Sequence, residues 1–226
     1  MQILVVSATD IEIKPLAIYL AKNNFISGRN NVKVLITGIG SVATSYALTN
    51  YCNKISADII IQAGIGGCFT ENNLGEVLTI KEEMFADLGV WENKKFNTIF
   101  DLKLSGKNQT PYKNGLLQNP YKKLLALSSL KKVTGITINE ITTDKKRIAW
   151  YKQNFSPVVE SMEGAAFHYV CLEQKIPFIQ LRAISNYVGE RNKTKWKMKE
   201  AIINLNEKLI FLLTELSNYN ETYFRI

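Results

Sequence analysis

Apolar residues recur along this chain in two alternating patterns, short β-branched runs and longer stretches at helical spacing. The first run, QILVVSA (residues 2–8), predicts a buried strand. From Asp10 the spacing turns helical, with Ile13, Leu16, Ala17, Leu20 and Ala21 on one face to about Lys22 and Pro15 assigned to the first turn. Val32–Thr37 predicts a second strand ending at Gly38-Ile39-Gly40; Ser41 then caps a helix with Val42, Tyr46 and Thr49 along one side. Ala57–Ala63 is almost wholly apolar, as a strand covered on both faces is, and it too ends in glycines, Gly64-Ile65-Gly66-Gly67. Glu76–Lys81 and Glu83–Ala86 predict further strands, and residues 103–119 a long loop without period. Leu124–Leu130 reads as a short helix, Lys132–Ile138 as a strand and Asp144–Gln153 as a helix. Pro157–Glu160 and Pro177–Ser185 are strand-like runs around a helix that begins at SMEG (residues 161–164). Thr194 to about Leu216 predicts an amphipathic helix with Ala201, Leu205, Leu209, Leu212 and Leu213 inward, followed by a polar, frayed tail. Strands alternating with helices imply an α/β fold, a mostly parallel sheet with helices on both faces. With no repeat, linker or break in composition, residues 1–226 read as one domain.

Composition narrows the picture. A chain of 226 residues with 46% hydrophobic content has the makeup of a packed globular protein, and no apolar run approaches the roughly 20 residues that span a membrane. The first residues, MQILVVSATDIE, lack a basic n-region and are not a signal peptide. Three widely spaced cysteines, Cys52, Cys68 and Cys171, argue against a disulfide framework and a zinc site, so a reduced cytoplasm is the expected home. The net charge of +8 raises nucleic-acid binding, but the lysines are scattered and no nucleic-acid motif accompanies them. A solvated basic surface is the plainer reading, and an anionic small molecule would suit the same charge.

Candidate chemistry concentrates at strand ends, where open α/β sheets bind ligands. Glu163 stands where the strand at 157–160 gives way to a helix, Asn186 where the strand at 177–185 stops, and Glu12 in the first strand–helix turn. Taken singly, Glu12 and Glu163 read as ordinary helix-dipole electrostatics. The glycine turns do not give a dinucleotide fingerprint; they read as backbone brought close to a compact ligand or as turns needing positive φ. His168 has no partners at metal spacing and reads as a packed or interface histidine. Arg182, mid-strand, reads as a buried partner for a carboxylate. Serine-nucleophile elbows and P-loops are absent.

Taken together, SATDIEIKPL, TGIGSVATSYAL, QAGIGGCF and SMEGAAF followed by LRAISN resemble the nucleoside phosphorylase/nucleosidase superfamily over nearly the whole chain. VESMEGAA, then LRAISNYVGER and a tryptophan, look most like the futalosine hydrolases of menaquinone biosynthesis, with Asn186 where adenosine-cleaving relatives carry aspartate. The resemblance implies a single-domain three-layer α/β sandwich with a twisted, mixed, mostly parallel sheet, no cofactor and no metal, a nucleoside substrate, and assembly as a homo-oligomer (dimer or higher). A short connection before Val32 implies that one hairpin strand of the nucleosidases is missing. By the same resemblance Glu12 is the base that deprotonates the attacking water, Glu163 accepts hydrogen bonds from the ribose 2′- and 3′-hydroxyls with Met162 against the sugar, and Asn186 reads the purine. Ile65 and Gly66 should line the sugar side; Ile141 falls where those relatives stack an aromatic on the base. Phe85 and Trp196 are candidate apolar walls. Gln62 stands where phosphorylases carry an arginine, which favours water over phosphate as the nucleophile. The alternatives are a methylthioadenosine/S-adenosylhomocysteine nucleosidase releasing adenine, a purine nucleoside phosphorylase, or a nucleoside-binding protein without catalysis, in which Glu12 would serve no purpose.

Overall fold

Strand β1 (Gln2–Ser7) is buried from Ile3 onward, as its β-branched run requires. It lies between and parallel to β2 (Asn31–Ile36) and β3 (Ile59–Cys68). The computed structural model describes residues 1–22, 30–70, 73–92 and 95–224. The connection before Val32, with its missing hairpin strand, therefore falls largely outside the described residues.

β3 organises the sheet because its two halves have different neighbours. Ile59–Gln62 pair with β1, whereas Gly67 and Cys68 pair antiparallel with β9 (Val159–Ser161). Along its other edge, β10 (Phe178–Tyr187) runs parallel from Ile60 to Cys68. Between β1 and β9, residues 63–66 have no strand against that edge among the described residues. β10 also pairs antiparallel with β4 (Val77–Glu83), and β4 runs parallel to β8 (Lys132–Thr137), which is parallel to β9. The two-residue strand β7 (Leu117–Gln118) adds to β4. The mixed, mostly parallel sheet is the one expected, but it curls until β3, β10, β4, β8 and β9 form a ring.

Helix α1 (Asp10–Lys22) packs beside α6 (Met198–Leu216), which lies over β10, β3 and β4. α2 (Ser41–Cys52) packs on α5 (Gly164–Glu173), which covers β8 and β7. The inward face of α6 is as its spacing predicts: Ala201, Leu205, Leu209 and Leu213 are fully buried. Each such leucine contributes about 1.5–3 kcal/mol through burial. α3 (Lys122–Leu127) and α4 (Lys145–Phe155, capped by Asp144) complete the helices used here.

Several local readings change. Pro15 sits in the second turn of α1, not the first, where it has no N–H to donate to the carbonyl of Ile11. Gly40, not Ser41, is the N-cap of α2, and the predicted side of that helix faces outward, Val42 being 82% and Tyr46 74% exposed. The strand at 157–160 begins two residues later, and the helix after it starts at Gly164. Gly64–Gly67 do not form a turn; β3 runs through them. A hairpin of β5 (Gly89–Glu92) and β6 (Lys95–Thr98) was not foreseen, because four-residue strands in a polar stretch carry almost no period. It is anchored by Trp91 and Phe96, both 5.5 Å in ring-centroid distance from Trp150 on α4.

Candidate active site

The chain turns at the carboxyl end of β1, and the first turn of α1 carries Glu12 inward, 7% exposed. Its Oε2 accepts hydrogen bonds from Thr9 N (3.1 Å), Thr9 Oγ1 (2.8 Å) and Ser7 Oγ (3.4 Å). Its Oε1 accepts from Ile65 N at 3.0 Å, on the edge of β3 that no strand covers. The gap between β1 and β9 thus exposes a backbone N–H that fixes the carboxylate. Across the same gap Ile65 O accepts from Arg182 Nη1 (3.3 Å), and Arg182 Nη2 bonds Glu163 Oε2 (3.4 Å). Glu163 Oε1 accepts from Gly40 N (3.1 Å), which places its charge at the N-terminus of α2, a favourable end of the helix dipole. One residue of β3 therefore links the two carboxylates.

Gly64 is the glycine this arrangement cannot replace. A Cβ there would collide with the Arg182 guanidinium and come within 3.1 Å of Glu12 Oε1. Its role is close approach, whereas Gly38 (φ 83°) and Gly40 (φ 92°) adopt positive φ.

Sequence reasoning did not reach Asn206, a buried amide on the apolar face of α6. Its Nδ2 donates to Glu12 O (2.8 Å) and Ile202 O (2.7 Å), while its Oδ1 accepts from Leu16 N (3.0 Å). Glu12 O and Leu16 N are the pair that bond each other in a regular helix. Next to Pro15, the amide spans them and ties the backbone of Glu12 to α6. A lone amide on a leucine-lined face was the available signal.

Glu12, Glu163 and Asn186 open on one cavity of about 400 Å³, also lined by Met162, Ile65, Gly66, Ile141 and Trp196. Phe85 is the exception. Two residues past the end of β4, it lines a separate small hollow with Leu88, Phe100 and Tyr112, because its neighbours Met84 and Ala86 are the ones turned into the core. Thr9, Ile11, Ile39, Glu160, Ser185, Arg191, Met198 and Ile202 line the site without having been predicted.

Asn186 has a fixed orientation. Ser185 Oγ donates to its Oδ1 (2.8 Å), and its Nδ2 donates to Tyr187 O (3.0 Å), leaving one amide hydrogen unused by these contacts. A flipped amide would set two oxygens face to face. Glu160, on the cavity wall, accepts from Thr142 N (3.3 Å), and burial pushes its carboxyl up to about 7. Beneath the site, burial also raises Glu83 to about 7, against hydrogen bonds from Gln180 and Thr137 and the nearby Arg182 charge. His168 is fully buried, with Nδ1 2.9 Å from Leu117 O; burial lowers it to about 4. It packs rather than binds, and Arg182 is the buried carboxylate partner its position suggested.

A carboxylate held against a gap in the sheet suits the activation of water; a second one, braced by an arginine, suits a vicinal diol. The fold and this site are those of a nucleosidase-type enzyme. Residues 6–216 match the phosphorylase superfamily, and the chain belongs to that family. It is 31% identical over 185 residues, 80% of each chain, to futalosine hydrolase of Thermus thermophilus. To the 5′-methylthioadenosine/S-adenosylhomocysteine nucleosidase of Shewanella denitrificans it is 28% identical over 178 residues, 74% of each chain. Among solved structures, native Helicobacter pylori futalosine hydrolase superposes with a TM-score of 0.80 at 15% identity, covering 96% of this chain and 98% of that one. A mutant Helicobacter pylori methylthioadenosine nucleosidase with 5′-methylthioadenosine in its active site gives 0.80 at 16% identity, covering 95% and 99%. These superpositions show the shared fold. Among the described residues no helix is long and apolar enough to cross a membrane.

Proposed function

We propose that this enzyme hydrolyses the N-glycosidic bond of futalosine, releasing hypoxanthine and dehypoxanthine futalosine, a step of menaquinone biosynthesis. The oriented amide of Asn186 carries the reading. Its unused Nδ2 hydrogen can donate to the 6-oxo group of hypoxanthine, and its Oδ1 keeps a lone pair for N7. That second contact becomes a good hydrogen bond only as N7 gains its proton, so it strengthens as the base leaves. Adenine offers an amine where the amide also offers one, and the match fails.

The remaining roles follow from the chemistry of an oxocarbenium-like transition state. Glu12 takes the proton of the attacking water. Glu163 accepts from the ribose hydroxyls, and its negative charge favours the positive charge growing at the anomeric carbon. A phosphate nucleophile would meet the Glu12 carboxylate, and Gln62, where phosphorylases have an arginine, lies buried in β3. These points support hydrolysis. The curated nucleosidase relatives keep adenine release as the second reading.

Product identification decides between them. Purified protein is expected to free hypoxanthine from futalosine without added phosphate and to leave 5′-methylthioadenosine almost uncut; a phosphate requirement or preferential adenine release overturns the proposal. Asn186→Asp would set a carboxylate oxygen against both Tyr187 O and the 6-oxo group. Its kcat/KM on the 6-oxopurine substrate is expected to fall by the equivalent of about 1–3 kcal/mol, and an unchanged value would remove Asn186 as the base reader.

We further take residues 1–226 as one domain of a cytoplasmic homo-oligomer. Ile39, Val42 and Tyr46 are exposed at 63%, 82% and 74%, and Ile39 also lines the cavity, so a second copy on this face would cover apolar surface and wall the site. Sedimentation equilibrium should find a dimer or larger species that Tyr46→Glu dissociates; a monomeric parent chain would refute this.

A further inference from the structure

Beneath the two carboxylates of the site lies a buried polar chain that the chemistry above does not use. Glu83 closes β4, Thr137 closes β8, Gln180 stands on β10 and His168 on α5; none is more than 1% exposed. Two glycines make room for the Glu83 carboxyl. A Cβ at Gly164 would collide with its Oε1, and one at Gly135 would come within 2.7 Å of it. Gly164 directly follows Glu163. The next residue, Ala165, donates its N–H to Thr137 Oγ1 (2.7 Å), and that hydroxyl donates to Glu83 Oε2 (3.1 Å). The first turn of α5, which Glu163 opens, is therefore seated on Glu83.

The hydrogens of this chain can be counted. A carbonyl only accepts, so the contact of His168 Nδ1 with Leu117 O (2.9 Å) puts a hydrogen on Nδ1. In a neutral ring Nε2 is then a bare acceptor. Gln180 lies within hydrogen-bonding reach of that ring, and its Nε2 is occupied by Glu83 Oε1 (3.0 Å), so Oε1 is the atom left for His168. Two acceptors meet, and neither Gln180 Oε1 nor His168 Nε2 has a partner. The two ends of an amide are equal in size, so turning it over needs no extra room. With a proton on Glu83 every group is then served: Glu83 donates to Gln180 Oε1, Gln180 Nε2 to His168 Nε2, and His168 Nδ1 to Leu117 O. A proton on His168 would instead serve the chain as it stands, but with two buried charges where the other arrangement has none. Burial drives both groups the same way, Glu83 up to about 7 and His168 down to about 4, which leaves the proton with the carboxyl.

We propose that Glu83 works as a neutral carboxylic acid and is a positioning residue for Glu163: it seats the turn that carries this carboxylate and leaves Arg182 to Glu163 alone. The surroundings suit a neutral group. β8 faces it with Thr137 and Gly135, α5 with Gly164 and, beyond Gln180, His168, and β10 with Gln180 and the charged Arg182. An ionised Glu83 would divide the guanidinium's charge between two carboxylates and loosen its hold on Glu163. Only the consequence for substrate rests on the role of Glu163 proposed above; the proton on Glu83 does not.

Infrared difference spectra and denaturation curves of Glu83→Gln and Glu83→Ala beside the parent test this. Glutamine keeps the shape and the donor of the neutral acid. At about pH 6 the parent should show a protonated-carboxyl band that Glu83→Gln lacks. Folding raises the Glu83 value from near 4.5 to about 7, so the stability it contributes is full below the first and lost as pH rises through the second. Glu83→Gln does not titrate, so its stability relative to the parent should rise across that window and stand at or above the parent by about pH 8. Glu160, which titrates in the same range, is present in all three proteins and cancels. Glu83→Ala should lower kcat/KM on futalosine about 100-fold by displacing Glu163, with Glu83→Gln recovering most of it. A parent without that band, or a Glu83→Gln protein as destabilised as Glu83→Ala at about pH 8, marks an ionised partner of Arg182 and overturns the inference; full activity of Glu83→Ala removes the positioning role. The band and the stability curve need no substrate. Found without hypoxanthine release, they would sustain the proton on Glu83 and sink the proposed reaction, and hypoxanthine release without them would do the reverse.

Discussion

Glu12→Gln is expected to lower kcat on futalosine by about 10²- to 10⁴-fold, the range in which a positioned general base contributes. Substrate affinity should change only a few-fold, because Glu163 and Asn186 still hold the ribose and the base. The geometry argues for so large an effect. Glu12 is held by Thr9 N, Thr9 Oγ1, Ser7 Oγ and Ile65 N, and its backbone by Asn206; among the described residues no other carboxylate accepts a hydrogen bond from the uncovered edge of β3. An amide at this position keeps the shape but cannot take a proton, and its NH2 would face donors instead of accepting from them. Single-turnover measurements separate the chemical step from binding; a kcat within about tenfold of the parent would show that water is activated elsewhere.

The second large effect concerns stability. Glu163→Gln removes the carboxylate that pairs with Arg182, whose side chain is 2% exposed against 8% for Glu163. Breaking a buried pair from one side leaves an uncompensated charge and costs about 3–5 kcal/mol. Chemical denaturation should show that loss as a lower midpoint at an unchanged slope, together with loss of activity from the missing ribose contact. Arg182→Met in the same chain is expected to recover part of the stability but none of the activity, because the stranded charge is gone while the diol remains unheld. If the single variant is as stable as the parent, the pair does not brace the site as described.

Much of this was legible in the residue order. The apolar runs located β1, the first half of β3 and the core of β10, and the leucine spacing of α6 gave its buried face residue by residue. Glu12, Glu163 and Asn186 stood out because each follows a strand end, where the α/β architecture concentrates chemistry. The failures have local causes. Phe85 was a candidate apolar wall on its aromatic character alone; alternation with buried Met84 and Ala86 turns it to a separate hollow. Gly64–Gly67 looked like a turn because glycine permits positive φ, yet at Gly64 the demand is room for the Arg182 guanidinium. Val42 and Tyr46 marked a helix face correctly without revealing that it points outward.

The sequence by itself determined most of the elements, their α/β order and the three residue types on which the proposed chemistry depends, since periodicity and strand-end position are local properties. Only the tertiary structure decided how they meet. β3 loses β1 as a neighbour before it gains β9, and the uncovered Ile65 backbone joins Glu12 to the Arg182–Glu163 pair across more than a hundred residues of chain. Asn206, 194 residues from Glu12, completes the link by bonding that residue's carbonyl. Such contacts are set by sheet register and helix packing, in which residues distant in sequence satisfy one another's buried polar groups, and no local pattern records which of them will meet.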